Sequence, residues 1–132
     1  MRILAAPDKF RGSLTALEVT TAIEKAVEKA GYSSMGIPLA DGGEGTLDVL
    51  GGPNRTTTVT GPLGKPVEAE WRLADRTAII EVAKVSGLTL AGGPETNSPL
   101  EATTQGTGEL IRCALEKGAE RIIVGLGGSA ST

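Results

Sequence analysis

Ala40-Asp41-Gly42-Gly43-Glu44-Gly45-Thr46 is the stretch around which the rest of the chain is organised. It follows an apolar run that ends at Leu39 and precedes a short helical run over residues 47–50. Glycine can adopt positive φ and lets the backbone approach a ligand closely. Successive N–H groups in such a loop, ahead of a helix, form an anion-binding concavity. Asp41 and Glu44 are placed to hold Mg²⁺ beside that anion, because hard cations prefer carboxylate oxygen.

A second glycine-rich stretch, residues 125–132, follows the apolar run from Arg121 to Val124. Two such loops after two apolar runs predict a single phosphate-handling cleft. The alternative is two tight turns, which is the commoner meaning of either loop alone. Neither loop matches the P-loop or the dinucleotide-binding fingerprint.

The composition limits the possible chemistry. The chain has 132 residues, one domain's worth, with a net charge of −3 and a pI near 5.0, which argues against a nucleic-acid partner. Its one cysteine, Cys113, excludes an internal disulfide framework and fits a reducing compartment. There is no histidine, which excludes Ser-His-Asp catalysis and the usual zinc sites.

The sequence predicts a cytoplasmic protein without a membrane partner. The apolar run at residues 2–6 is too short for a signal peptide, and no segment approaches the apolar length of a membrane span.

The first third of the chain predicts a parallel βαβ unit. Residues 2–6 form a short strand, and the loop that follows contains Lys9 and Arg11. Two interpretations fit these residues: they bind a phosphate or a carboxylate at the end of the strand, or they are solvated surface charges. Thr15 and Glu18 have the spacing of a capping box, and Gly31 ends the helix that they begin. A second strand over residues 34–39 implies a right-handed crossover.

The remaining chain predicts a β-meander and then a helix–strand unit. Residues 55–83 alternate apolar and polar side chains between turn signals, with Trp71 as a packing anchor. Glu81 lies late in an apolar strand, so either burial or a site contact fits it. After a loop over residues 87–99, a helix over residues 104–117 and a parallel-type strand over residues 121–126 follow.

Five stretches, in order from end to end, resemble the N-terminal part of the bacterial glycerate kinases of the first class. They are Ala6-Pro7-Asp8-Lys9-Phe10-Arg11-Gly12-Ser13-Leu14, Pro38-Leu39-Ala40-Asp41-Gly42-Gly43-Glu44-Gly45-Thr46, Val59-Thr60-Gly61-Pro62-Leu63-Gly64, Thr103-Thr104-Gln105-Gly106-Thr107-Gly108-Glu109-Leu110-Ile111 and Gly127-Gly128-Ser129-Ala130.

The resemblance implies phosphoryl transfer from ATP to D-glycerate with Mg²⁺, usually giving 2-phosphoglycerate. It also implies a discontinuous two-domain α/β architecture with the site in the cleft between the domains. The expected fold has a parallel Rossmann-like sheet with flanking helices, and a small antiparallel β-meander that begins a second domain. Residues 1–54 start the first domain, residues 55–86 form the meander, and residues 87–132 form the helix–strand unit.

On this reading the site residues have distinct expected roles. The catalytic candidates are Asp8, Asp41 and Arg11, and the metal candidates are Asp41 and Glu44. The expected substrate- and nucleotide-binding residues are Lys9, Gly42, Gly43, Glu44, Gly45, Thr46, Gly127, Gly128 and Ser129.

Two departures from the family pattern matter. Arg11 stands where the family usually has lysine, and arginine binds phosphate bidentately where lysine acts as a point charge. Family members are considerably longer, so we expect a fragment that is inactive alone. A non-catalytic anion-binding or homo-oligomeric module is the alternative function, because a truncated sheet exposes edges that can pair with a second copy.

Overall fold

A computed structural model describes residues 1–131 as two compact units, one over Met1–Asp41 and one that begins at Gly42. The first unit contains β1 (Arg2–Ala5), α1 (Ala16–Lys29) and β2 (Ser33–Gly36). The second contains α2 (Thr46–Val49), β3 (Arg55–Thr60), β4 (Pro66–Ala74), β5 (Thr77–Glu81), α3 (Ala83–Ser86), α4 (Gln105–Glu116) and β6 (Arg121–Gly125).

The first unit is the predicted parallel βαβ unit. β1 and β2 pair in parallel with Leu4 beside Met35. The capping box is confirmed, since Glu18 donates its amide to the Thr15 hydroxyl and accepts the Thr15 amide. At the other end the amide of Tyr32 reaches the carbonyl of Val27 at 3.1 Å, as in a Schellman motif. Local signals therefore determine both ends of α1.

The second unit is built on a four-stranded mixed sheet in the order β3-β4-β5-β6. β3, β4 and β5 form the predicted antiparallel meander. β6 then adds in parallel to β5, with Glu81 opposite Gly125. The α/β class, the parallel pairing, the flanking helices and the meander predicted from the sequence are thus confirmed. The proposed domain boundaries stay a prediction.

Trp71 is the centre of the second unit's core. Its side chain has no exposed surface, and its indole N–H donates to the Thr57 hydroxyl at 3.0 Å. This confirms the packing role predicted for Trp71. The rest of this core cluster consists of Val59, Ala69, Ala78, Ile80, Val85, Leu110, Ala114 and Ala119.

The parallel-type strand predicted over residues 121–126 is confirmed as β6, which pairs in parallel with β5. It lies in the mixed sheet, and β1 and β2 form a separate two-stranded sheet. Two other strands end earlier than predicted. The strand predicted over residues 34–39 spans Ser33–Gly36. The strand predicted to run to Ala83 ends at Glu81, because the amides of Val85 and Ser86 bond the Val82 carbonyl and form a helical turn.

Residues 1–131 include no helix that is long and apolar enough to cross a membrane.

Candidate functional site

In the first unit, three predicted site residues lie at the C-terminal ends of the parallel strands, where open α/β sheets bind ligands. Asp8 and Lys9 follow β1, and Asp41 ends the segment that follows β2. The Lys9 ammonium donates to Asp41 Oδ1 at 2.8 Å, and the Lys9 amide donates to Asp8 Oδ1 at 2.7 Å. The sequence near Asp41 offers no cation, and Lys9 supplies one from a position far earlier in the chain.

The Lys9–Asp41 ion pair keeps the lysine charged. The hydrogen bond to Asp41 raises the pKa of Lys9 above its usual value, against the opposing effect of burial. The Lys9 side chain is 17% exposed and that of Asp41 is 56% exposed, so the pair has a half-buried cation and an exposed carboxylate. Arg11, the other basic residue of this stretch, is exposed.

In the second unit, the two glycine-rich stretches pack against each other backbone to backbone. We call residues 42–46 the first glycine loop and residues 125–129 the second glycine loop. A Cβ placed on Gly127 would lie 2.5 Å from the Cα of Gly43, and one on Gly125 would lie 2.7 Å from the Gly42 carbonyl oxygen. Only glycine permits this approach. Of the predicted site residues, the structure therefore brings Gly42 and Gly43 of the first glycine loop into contact with Gly127 of the second.

Glu81 lies beneath the first glycine loop and is 1% exposed. Its Oε2 accepts the amide of Leu47 at 2.8 Å, and its Oε1 accepts the amide of Gly45 at 3.2 Å. Two backbone donors at the start of α2, which the sequence offers to an anionic ligand, are thus taken by a side chain of the protein. The sequence left the role of Glu81 open, and the structure assigns it this buried contact.

Glu44 and Thr46 have different surroundings within the same loop. Glu44 is exposed and accepts a hydrogen bond from the Thr89 hydroxyl at 3.3 Å. Thr46 is buried, and its hydroxyl has no hydrogen-bond partner among the residues that the structure describes.

The chain from Val82 to Leu88 holds the second glycine loop in place. The amide of Val82 donates to the Gly125 carbonyl at 3.1 Å, and that of Leu88 donates to the Gly128 carbonyl at 2.8 Å. The amide of Ala130 returns to the Ser86 carbonyl at 2.9 Å. Because this segment directly follows Glu81, one short piece of chain contacts both glycine loops.

Lys84 is a charged residue of this region that the sequence did not single out. Burial lowers the pKa of Lys84. The hydrogen bond from its ammonium to Glu70 and the charges of Glu70, Asp48 and Glu81 together raise the pKa by more than burial lowers it, so the net shift is upward. The Nζ–Oε2 distance to Glu70 is 3.1 Å. Lys84 thus places a positive charge near the carboxylates around the first glycine loop.

A scan against protein-family models matches residues 3–132 to the glycerate kinase family. The chain belongs to the glycerate kinase family. It is 48% identical to the glycerate kinase of Bacillus subtilis (strain 168) and 48% identical to the glycerate 2-kinase of Escherichia coli (strain K12), in each case over 99% of this chain and 36% of the relative. A crystal structure from Salmonella typhimurium LT2, described as a glycerate kinase 2, matches with a TM-score of 0.78 and 45% identity.

The chain spans little more than a third of the length of these relatives, since the Salmonella match covers 99% of this chain and 37% of that one. Two of its family-like stretches contact each other. The Glu109 carboxylate accepts the amide of Thr60 at 2.7 Å and its hydroxyl at 2.9 Å. A Cβ on Gly106 would lie 1.8 Å from the Thr60 carbonyl oxygen. These two stretches therefore have a structural role, whereas the glycine loops form the candidate ligand site.

Proposed function

We propose that the chain forms the N-terminal part of an ATP-dependent glycerate kinase that transfers the γ-phosphoryl group of ATP to D-glycerate, giving 2-phosphoglycerate. The observation that carries the proposal is the packing of the two glycine loops at the C-terminal ends of β5 and β6. Parallel strands bind ligands at that edge. The relatives named glycerate kinase and glycerate 2-kinase support the choice of substrate.

The residue types present suit this reaction. Phosphoryl transfer depends mainly on positioning and on neutralising phosphate charge, and it needs little covalent chemistry from the protein. A chain without histidine can perform it with carboxylates, basic side chains and backbone amides. In this proposal Lys9 and Arg11 hold the glycerate carboxylate or a phosphate, and Asp8 and Asp41 contact the substrate hydroxyl or the metal.

The carboxylates of the candidate site fit Mg²⁺ that is bound together with a nucleotide, and they do not fit Mg²⁺ held by protein ligands alone. Residues 1–131 contain no group of three or more His, Cys, Asp or Glu that could form a metal cage. Mg²⁺ at such sites takes one or two protein carboxylates and completes its shell with phosphate oxygens and water. Asp41 of the first unit or Glu44 of the second, each with an exposed side chain, would supply such a carboxylate. The metal would neutralise charge on the phosphates of ATP.

The second glycine loop fits a phosphate better than the first does. It contains no acidic residue, and Gly128 is exposed with φ of +65°. The hydroxyl of Ser129 lies in the same loop, 3.1 Å from that of Ser131. We therefore assign the phosphates of ATP to Gly127, Gly128 and Ser129. Since ATP is a cytoplasmic co-substrate, the proposal also places the enzyme in the cytoplasm.

A chimeric enzyme tests the proposed function. The chain replaces the matching third of Bacillus subtilis glycerate kinase, and a coupled assay follows ADP formation. We expect turnover that requires both ATP and D-glycerate, and no turnover by the 132-residue chain alone. The parent enzyme is the positive control. A folded, monodisperse chimera that ignores D-glycerate would contradict the proposal.

A non-catalytic, self-associating module is the second candidate. Leu4 is 62% exposed and its neighbour Met35 is 45% exposed, so one face of the β1–β2 sheet leaves apolar side chains at the surface. β3 forms one edge of the four-stranded sheet. Sedimentation and calorimetry separate the two functions: a dimer that binds neither ATP nor glycerate supports the module, and a monomer that binds MgATP contradicts it.

A further inference from the structure

The Glu81 carboxylate is the most deeply buried charged group for which the proposed function has no role. It stands at the C-terminal end of β5, opposite Gly125, and its side chain is buried and contacts the start of α2. Burying a carboxylate is costly unless hydrogen bonds compensate for lost water. Here the compensation comes from the backbone amides of Gly45 and Leu47.

The hydrogen bonds to Glu81 fix a bend of the first glycine loop. Gly45 has φ of +90° and immediately precedes α2. Leu47, two residues later, is fully buried, so the loop is held by an apolar contact and by a carboxylate at the same point. Hydrogen bonds from N–H groups to an ionised carboxylate are about twice as strong as neutral ones. Glu81 therefore adds two charge-assisted hydrogen bonds to the backbone bonds that hold residues 45–47.

We infer that Glu81 is a positioning residue that serves as the internal anion of the first glycine loop. Its negative charge occupies the Gly45 and Leu47 amides, so these groups are not available to a phosphate of a ligand. The first glycine loop then contributes through the Glu44 carboxylate and the shape of residues 42–44, and the phosphates belong to the second glycine loop. This last assignment rests on the proposed function, whereas the positioning role does not.

The chemistry of the side chain at position 81 makes the inference specific. Glutamine has nearly the same shape as glutamate, but it offers one acceptor oxygen and one NH₂ group. With Gln at this position, either the Gly45 amide or the Leu47 amide faces a donor instead of an acceptor. Glu81→Gln therefore removes one of the two bonds and the charge while it preserves the packing.

Amide hydrogen exchange measured by NMR tests the positioning role. In Glu81→Gln we expect the Gly45 and Leu47 amides to exchange at least tenfold faster than in the unsubstituted chain, with the core amide of Leu110 unchanged. The matched control is Glu70→Gln, which removes a carboxylate that contacts Lys84 from the neighbouring strand β4. Exchange of Gly45 and Leu47 within twofold of the unsubstituted chain would overturn the inference.

A measurement on the unsubstituted chain covers the case in which Glu81→Gln fails to fold. The Gly45 and Leu47 amides should exchange at least a hundredfold more slowly than in an unstructured peptide. Exchange at the unstructured rate would show that the Glu81 carboxylate does not hold them.

An NMR titration tests the assignment of the ATP phosphates to the second glycine loop and not to the first. On titration of the unsubstituted chain with MgATP, we expect the amide resonances of residues 127–129 to shift and those of Gly45 and Leu47 to stay within the digital resolution. Saturable shifts at Gly45 and Leu47 would overturn the division. Absence of any shift would contradict the assignment of the ATP phosphates to residues 127–129, while the exchange experiment decides the role of Glu81 independently.

Discussion

At the scale of single residues, Lys9 and Asp41 combine two properties that a ligand site requires. The pair is formed across the loops that follow β1 and β2, and it leaves the Asp41 carboxylate 56% exposed beside a lysine that is only 17% exposed. Ion pairs of this exposure contribute about 0–1 kcal/mol to stability. The arrangement therefore has little value as a stabilising contact and is suited to present a carboxylate to a ligand.

Asp41→Asn should lower kcat of the chimeric enzyme by about a hundredfold or more, on the order of 3 kcal/mol of transition-state stabilisation. The expected loss of folding free energy is below about 1 kcal/mol. Steady-state kinetics and thermal unfolding measure the two effects. Glu120→Gln, which breaks an exposed ion pair with Arg76, is the control. Near-normal turnover at saturating Mg²⁺ would exclude Asp41 from metal binding.

Two exposed or half-buried carboxylates should make stability depend on pH. The Thr15 amide lowers the pKa of Glu18, helped by the Thr15 hydroxyl. The Thr60 amide lowers the pKa of Glu109, helped by Gln105 and the Thr60 hydroxyl. A carboxyl whose pKa is lower in the folded state stabilises the fold above its unfolded pKa of about 4.3, and this contribution is lost as the pH falls through the folded pKa.

Glu109→Gln should therefore be less stable than the unsubstituted chain at pH 7 and should lose less further stability between about pH 5 and pH 3. Urea unfolding at a series of pH values measures this difference. The same acid-induced loss in both proteins would show that the Glu109–Thr60 contact is not formed by the ionised carboxylate.

At the scale of secondary structure, the close contact between α4 and β3 depends on Gly106. A Cβ at this position would lie 1.8 Å from the Thr60 carbonyl oxygen, whereas one on Gly108 in the same helix would meet no atom within 4 Å. Gly106→Ala should destabilise the fold by about 1–3 kcal/mol through overpacking. Gly108→Ala should stabilise it by about 0.5–1 kcal/mol, since alanine favours helix.

Urea unfolding of the two alanine variants gives a comparison in which the chemical change is identical. Equal effects of the two substitutions would mean that α4 does not approach β3 as closely as described. The contact also explains why glycine stands at position 106, near the start of a helix where it is otherwise unfavourable.

Elements whose signals are local could be predicted from the sequence. The Thr15–Glu18 capping box and Gly31 set the ends of α1 within one turn, so the helix needs no distant partner to be recognised. The meander could also be predicted, because each of its strands pairs with the next strand in sequence and a turn signal lies between them. The two glycine loops could be recognised as a candidate site because each contains its own pattern of glycines.

Partners that are distant in sequence could not be predicted. The sequence of an apolar run such as residues 121–125 does not show which strand it pairs with. In the structure this run is β6, and it pairs with β5. The hydrogen bonds that the Gly45 and Leu47 amides donate to Glu81 join positions 36 and 34 residues apart. A single charge in an apolar strand was the available signal, and it fitted either burial or a site contact without identifying the partner.

At the scale of the whole molecule, the two compact units differ in how much core each contains. In the unit over Met1–Asp41 the buried apolar side chains are Ala5, Ala16 and Val19. The unit that begins at Gly42 has the Trp71 cluster between a four-stranded sheet and α4. Below about 40 residues, domains usually need a disulfide, a metal or association to fold, and the chain's one cysteine, Cys113, is outside the smaller unit.

We therefore predict that a fragment of residues 42–132 folds by itself and that a fragment of residues 1–41 does not. Trp71 is the chain's one tryptophan and is fully buried, so its fluorescence reports the larger unit. The larger fragment should show the blue-shifted emission of the full chain and a single cooperative urea transition, because its core is complete without the first unit. Circular dichroism of the smaller fragment should show little helix, since an isolated 14-residue helix such as α1 is marginal in water. Solvent-exposed Trp71 emission from the larger fragment, with native emission from the full chain, would show instead that the second unit depends on the first for its fold.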